Sequence, residues 1–464
     1  MRNTKPLFII ILILLLFFAF SCKDNKQDEP IEEECIEHVS SDWLYDDPDC
    51  PCGEPCSQHK ECIICGEWLK TRTIFKRPHE LVQETIEATC TENGKLIETC
   101  KHCDYIYESI IFSTGHKAGE YETISVNGDF VEKVKYCSEC GIELGRATYV
   151  NNGWYKHGKL SVNGRDLVDK DGKKIQLYGI STHGLQWFGK YIDDYKVYEE
   201  LNMAFSNNVI RLSLYTGENG YCESGPERRA QLKQYVINGV NYATKIGMYV
   251  IIDWHMLGAT DDNDKNPLYY VNESKEFFSE MSLLFKDNVN VLYEIMNEPN
   301  GNVTWAQCKE YALEVIPCIR ANSDGIILVG NPHWTSDLAS VLKDPIKGYD
   351  NLMYTYHFYA DDHKNTNAVV SAYNSNLPVF ISEYGYMYST GDGDMNYTSG
   401  NNWIKALDSC NISYVAWNLS NSKGSASILQ SGAKDYTDFS DSNLKEWGIF
   451  LKQMYRKKSG LIDE

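Results

Sequence analysis

From about Trp154 onward, eight short apolar, β-branched runs alternate with longer stretches of helical periodicity. The runs are 175–181, 209–215, 249–255, 291–298, 326–330, 353–359, 378–383 and 413–417. Of the stretches between them, 226–246 and 304–321 carry apolar residues at spacings of three and four, the mark of an amphipathic helix. Strand–helix alternation repeated this often over roughly 300 residues predicts an α/β domain closed as a (β/α)8 TIM barrel. The alternative is an open doubly wound sheet. That fold usually announces itself with a Gly-rich phosphate loop between a strand and a helix, and no well-placed loop of that kind stands in this chain.

Nearly every run ends in a polar or aromatic cluster. The first leads to His183-Gly184-Leu185-Gln186-Trp187, the second contains Arg211, and the third ends Asp253-Trp254-His255. The fourth ends Asn297-Glu298-Pro299, the fifth leads to His333-Trp334, and the sixth ends His357-Phe358-Tyr359. Glu383 closes the seventh and Trp417-Asn418 the eighth. A single buried His or strand-end Trp reads as packing. Eight coincident clusters read as a site, because the strand ends of a barrel share one rim. Glu298 and Glu383 each end an apolar run, where an unpaired carboxylate is costly. Two carboxyl groups on one rim are what glycoside cleavage needs: one protonated beside the leaving oxygen, one ionised beside the anomeric carbon.

The ordered set resembles glycoside hydrolase family 5, and within it the bacterial endo-β-1,4-glucanase branch. The resemblance is carried by 183–187, by 249–255, and by Tyr293-Glu294-Ile295-Met296-Asn297-Glu298-Pro299-Asn300-Gly301. It continues through Tyr356-His357-Phe358-Tyr359-Ala360, Ile381-Ser382-Glu383-Tyr384-Gly385 and Trp417-Asn418-Leu419-Ser420. It implies a retaining hydrolase of β-glucan with Glu298 as acid/base and Glu383 as nucleophile, needing no cofactor for catalysis. It further implies Arg211 and Tyr359 as donors to the nucleophile, Asn297 as a contact to the sugar 2-hydroxyl, and His255 and His357 as orienting histidines. Trp417, His183, Trp187 and, more weakly, Trp334 match its sugar-binding residues. Flat aromatics suit that work because the axial C–H faces of a β-glucosyl ring are apolar. Two positions depart from the pattern. Tyr384 follows the nucleophile where many relatives have Trp, and Ser422 and Gly424 stand where relatives often carry Lys and Glu. The second departure touches the outer glycone contacts and so the choice of β-glycan. β-Mannan and mixed-linkage glucan are alternative substrates, and a catalytically silent glycan-binding protein is the alternative from another class.

The N-terminal part is of another kind. Twelve of the sixteen cysteines lie at Cys22, Cys35, Cys50, Cys52, Cys56, Cys62, Cys65, Cys90, Cys100, Cys103, Cys137 and Cys140. Residues 35–150 read as a Cys-rich repeat module, and the catalytic domain as 155–457. In the module Cys62-x2-Cys65 is followed by His79, Cys100-x2-Cys103 by His116, and Cys137-x2-Cys140 by His157. Such knuckles suit tetrahedral zinc, and Cys90, Cys100, Cys103 and His116 are one possible ligand set. Disulfides are the competing reading in an exported chain.

Export is expected from residues 1–22. Arg2 and Lys5 precede an apolar run at 7–20, and Ala19-Phe20-Ser21-Cys22 resembles a bacterial lipoprotein cleavage site that would lipidate Cys22. Residues 23–34 read as a flexible tether. The expected location is the cell surface or periplasm, with a lipid anchor as the only membrane contact, or otherwise secretion. A formal charge of −21 at pH 7 disfavours nucleic acid and anionic membranes as partners. It suits a neutral polysaccharide such as β-glucan, and a monomer is favoured.

Overall fold

A computed structural model of the chain describes residues 37–258 and 262–462. The signal segment, Cys22, Cys35 and the tether 23–34 lie outside the described residues. The chain divides into two compact units, Met1–His116 and Lys117–Glu464.

The first unit carries two three-stranded antiparallel sheets. One is Leu44–Tyr45, Cys56–Glu61 and Trp68–Ile74; the other is Leu81–Ile86, Gly94–Cys100 and Ile106–Ile111. In each, a Cys-x2-Cys segment turns the second hairpin, at Cys62–Cys65 and at Cys100–Cys103. Apolar burial contributes little here. Between residues 37 and 116 the only buried hydrophobic side chains are those of Cys56, Cys62 and Cys90, while Ile64, Phe75, Ile106, Ile110 and Phe112 face solvent. Cys50 and Cys56 form a disulfide. A third sheet of the same kind, Ala118–Asn127, Phe130–Cys137 and Glu143–Val150, belongs to the second unit. Lys133 and Lys135 tie it to Glu199 and Glu200 on the helix Tyr195–Phe205, at 3.1 and 2.8 Å. The division between the two compact units falls before this sheet.

After a short antiparallel hairpin, Ser161–Asn163 and Asp166–Val168, the second unit forms the expected closed barrel of parallel strands. Its strands are β1 (Tyr178–Thr182), β2 (Val209–Tyr215), β3 (Tyr249–His255), β4 (Val291–Glu294), β5 (Ile327–Val329), β6 (Leu352–Tyr359), β7 (Val379–Gly385) and β8 (Tyr414–Leu419). A helix follows every strand. The helix Pro226–Ile246 starts on Pro at its first turn and stops at Gly247 in the left-handed region, φ 104°. Trp305–Arg320 starts on a capping box between Thr304 and Gln307.

The barrel lumen is layered. Its floor is apolar: Val209, Tyr249, Ile251, Leu292, Leu328, Met353, Phe380 and Val415 pack with Leu160, Leu167, Ile175 and Leu177. Ile175 and Leu177 join that floor ahead of β1, which starts at Tyr178, three residues later than the apolar run suggested. Because side chains alternate along a strand, the next inward positions up β2 and β3 are Arg211, Ser213 and Asp253. The apolar floor thus gives way to a buried polar layer, and that layer carries the rim.

Candidate active site

Arg211 is the hub of the polar layer and is fully buried. Its Nε donates to Glu294 Oε2 at 2.6 Å, one Nη to Glu383 Oε2 at 3.1 Å, and the other to Asn297 Oδ1 at 2.7 Å. That second Nη also lies 3.0 Å from Asp253 Oδ2. Burial alone would lower the guanidinium, but the charges of Asp253, Glu294 and Glu383 outweigh it and push Arg211 further up. Glu294 is the reciprocal case: burial works against its anion, and Arg211 and His357 still hold it down at about 2. Asp253, buried and beside two other carboxylates, is pushed well above the usual range although Arg211 opposes the shift.

Glu383 reaches this hub through a bulge. Thr355 and His357 on β6 pair with Phe380 and Glu383 on β7, so β7 spends one residue more than its neighbour. The same extra residue shows against β8, where Ile381 and Tyr384 face Tyr414 and Ala416. A bulge re-aims the side chains that follow it. Here Ser382 Oγ meets His357 Nε2 at 2.9 Å, while Glu383 accepts from both Arg211 and Tyr359, whose hydroxyl lies 2.8 Å from Oε1. Tyr359 is pushed well above its ordinary value by burial and by the neighbouring Glu383, so its hydroxyl stays a donor.

Glu298 sits differently from the strand-end position read in the sequence. β4 stops at Glu294, and 295–298 form the segment above it. Backbone bonds from Asn297 N to Trp254 O and from Glu298 N to Met256 O, both 3.2 Å, hold that segment against β3. Glu298 Oε1 lies 2.7 Å from His357 Nδ1. Burial would lower His357, but Glu294 and Glu298 raise it to about 10, so the ring carries its proton at neutral pH. One carboxylate oxygen of Glu298, one of Glu383 and a His357 nitrogen all lie within 4.8 Å of each other.

Aromatic rings line one side of this pair. His255 stacks on Tyr215 with centroids 4.1 Å apart and on Trp417 at 5.3 Å. His183 meets Trp417 at 5.1 Å, and Trp187 meets Tyr215 edge-on at 5.0 Å. Burial takes His255 down to about 3, with Arg211 adding to the effect; a proton shared with Asp253 Oδ2 at 2.6 Å fixes the ring. His183 is likewise held neutral by burial, at about 3. Across the opening, His333, Trp334 and Thr335 all have positive φ, 58°, 54° and 55°. Such backbone is uncommon without Gly. It is held by Trp334 N donating to Pro299 O at 3.0 Å and by Thr335 Oγ1 donating to Asn297 O. Trp334 is thereby presented half-exposed over the segment that carries Glu298.

Together these side chains bound a cleft of about 680 Å³ that includes His183, Tyr215, His255, Glu298, Trp334, His357, Tyr359, Glu383 and Trp417. Arg211 and Asn297 lie beneath it. Trp187 stands beside it, 41% exposed. Sequence reasoning passed over Tyr215, Glu294 and Ser382 as site residues. The first two were accessible from alternation: Tyr215 is two steps beyond Ser213, and Glu294 two beyond Leu292. Ser382 depends on the bulge, which no local pattern announces.

The Cys/His set read from the sequence is corrected by the structure. Cys100 and Cys103 gather with Cys52 and His79; Cys90 and His116 do not join them. Cys90 lies in the turn before Gly94–Cys100, so a strand of about 20 Å separates it from Cys100. His116 follows Ile111, which pairs with Gly94 at that same far end. His79 therefore serves the knuckle that follows it and not the one before, and His157 pairs with Asp169 at 3.0 Å.

Residues 168–423 match the family model described as Cellulase (glycosyl hydrolase family 5). Endoglucanase A of Butyrivibrio fibrisolvens is 44% identical over 299 residues, which is 64% of this chain and 68% of that protein. An endoglucanase of Clostridium saccharobutylicum is 36% identical over 300 residues, 64% of each chain. Among solved structures, the catalytic domain of Thermobifida fusca endoglucanase Cel5A superposes with a TM-score of 0.61 at 34% identity, over 65% of this chain and 99% of that one. The chain belongs to glycosyl hydrolase family 5, as a glycoside hydrolase of the cellulase type.

Proposed function

We propose that the protein is a retaining endo-β-1,4-glucanase, cleaving internal bonds of cellulose or a related β-glucan by double displacement. The observation that carries this reading is the carboxylate pair: oxygens of Glu298 and Glu383 stand within 4.8 Å, at the floor of an aromatic-lined cleft. Retaining enzymes hold their carboxyl groups about 5–5.5 Å apart, whereas inverting ones need about 6.5–9.5 Å to fit a water between. The endoglucanase relatives support the substrate class.

In this mechanism Glu383 attacks the anomeric carbon. Arg211 and Tyr359 stabilise its charge and aim it. Glu298 gives a proton to the departing oxygen, and a glycosyl–Glu383 ester results. Glu298 then takes a proton from water, which attacks the same carbon and frees Glu383. His357 holds Glu298 in place through both steps. Asn297 has its Oδ1 tied to Arg211 and its Nδ2 donating to Met256 O at 3.2 Å, which fixes the side chain beneath the cleft as the contact to the sugar 2-hydroxyl. His255 supports that amide, with Nε2 3.4 Å from Nδ2. Trp417 and His183 take the sugar on one side of the scissile bond with Trp187 beyond them, and Trp334 takes it on the other. The two carboxyl groups suffice for the chemistry.

Glu383→Gln keeps the shape of the site and removes the nucleophile. Turnover of carboxymethyl-cellulose is expected to fall on the order of 10⁴-fold or more while glucan binding persists. Substantial residual activity overturns the assignment. NMR of the first product formed tests retention, since an initial α-anomer contradicts it. A panel of carboxymethyl-cellulose, lichenan and mannan tests the substrate; hydrolysis of mannan alone overturns the glucanase reading, and binding without hydrolysis overturns the enzyme.

A further inference from the structure

We infer that the N-terminal unit holds a structural zinc ion on Cys52, His79, Cys100 and Cys103. Their four ligand atoms lie within 4.8 Å of one another. Cys52 Sγ is 3.6 Å from Cys100 Sγ, and Cys103 Sγ is 3.4 Å from His79 Nδ1. A tetrahedral ion with Zn–S of about 2.3 Å and Zn–N of about 2.0–2.1 Å sets its ligands about 3.6–3.8 Å apart. The group thus has the size of a filled coordination shell, and three sulfurs with one imidazole make a familiar zinc donor set.

Each ligand is held from outside the cluster. The knuckle is shaped by His102 N donating to Cys100 Sγ at 3.4 Å and by Cys100 N donating to Tyr105 O at 3.0 Å. Tyr105 in turn stacks on the His79 ring at 4.2 Å. Cys52 sits in the short loop closed by the Cys50–Cys56 disulfide. That loop is tied to Arg77, two residues before His79: Gly53 N donates to Arg77 O, and Arg77 N to Glu54 O, both at 2.9 Å.

The ligands come from three places. Cys52 lies between the first two strands of the first sheet, His79 in the link between sheets, and the knuckle in the second sheet. The ion would therefore staple together two sheets that share almost no apolar core. With four protein ligands it has no open position, so its part is folding and not catalysis. On binding, three thiols lose their protons to solvent and the site carries one net negative charge.

The test uses the full chain, passed over a metal-free column and analysed for zinc by mass spectrometry. His38, Cys62 and Cys65 also bring ligand atoms together, so the measurement is a difference between proteins. The double variant Cys100→Ser, Cys103→Ser is expected to hold one zinc equivalent fewer than the parent, with carboxymethyl-cellulose turnover unchanged. Should that variant not express, His79→Ala and His79→Cys replace it: the first loses the equivalent, and the second, a four-sulfur site, keeps it. Equal zinc in the parent and in the ligand-deleted variants overturns the proposal. So does peptide mapping that finds Cys52 oxidised to Cys100 in the parent.

Discussion

The two units solve the same problem with opposite means. The barrel buries almost every apolar residue of its strands, with a floor cluster in the lumen and a larger cluster between sheet and helices. The first unit also consists of strands, yet Leu81–Ile86 is exposed along its whole length. Its ordered points are instead the disulfide Cys50–Cys56 and the Cys/His group at Cys52. Hydrophobic stabilisation scales with the apolar area removed from water, so a short meander without a partner layer has little of it. Cross-links and metal do not scale with area. The comparison shows why cysteines crowd one end of the chain and tryptophans the other.

That contrast can be broken experimentally. The largest effect is expected from a chelator strong enough to strip zinc. The first unit should become open to limited proteolysis throughout, while hydrolysis of carboxymethyl-cellulose continues; loss of both together would mean that the barrel depends on the same ions. In the barrel, Arg211→Ala leaves Glu294 and Asp253 buried without their cation. It should cost about 3–5 kcal/mol in denaturant unfolding, as breaking one side of a buried ion pair does. A cost near zero would show that the polar layer accepts water. Ile251 and Ile110 then measure the two cores directly. Ile251 is fully buried in the floor, and Ile251→Ala should cost about 2–5 kcal/mol. Ile110 is 61% exposed, and Ile110→Ala should stay within about 0.5 kcal/mol. Equal costs would refute the contrast.

The barrel's polar layer also makes its stability depend on pH. His357 is raised from 6.5 to about 10 in the fold, so its stabilising contribution is complete below about pH 6.5 and is lost as pH rises towards 10. Glu294 runs the other way: lowered from 4.5 to about 2, it stabilises fully above about pH 4.5 and loses this as pH falls towards 2. His357→Asn should flatten the alkaline decline of the barrel's melting temperature and also shrink the acid limb, because His357 helps hold Glu294 down. An unchanged alkaline limb would show that His357 is not the group responsible.

Some of this was open to reading in advance, and the division follows a physical line. The barrel was legible because its signals are local: strand and helix periodicity lie within ten or twenty residues, and the order of polar strand ends follows from topology. Glu298 and Glu383 were legible for the same reason, each sitting where an apolar run meets a rim. Glu294 and Tyr215 were written in the alternation but not in any motif. Other features depend on which segments meet. The bulge that brings Ser382 and Glu383 inward together exists only against the registers of β6 and β8. The left-handed backbone that presents Trp334 is held by Pro299 and Asn297, more than thirty residues earlier.

The cysteines draw the line most sharply. The Cys-x2-Cys spacing by itself determined that Cys100 and Cys103 face one point, because a tight turn holds their sulfurs together. It could not say which other residues reach that point. A histidine on either side of the knuckle satisfies the spacing equally well, and Cys52 lies forty-eight residues before Cys100. Only the strand directions, which carry Cys90 and His116 to the far end of the second sheet, decided for Cys52 and His79.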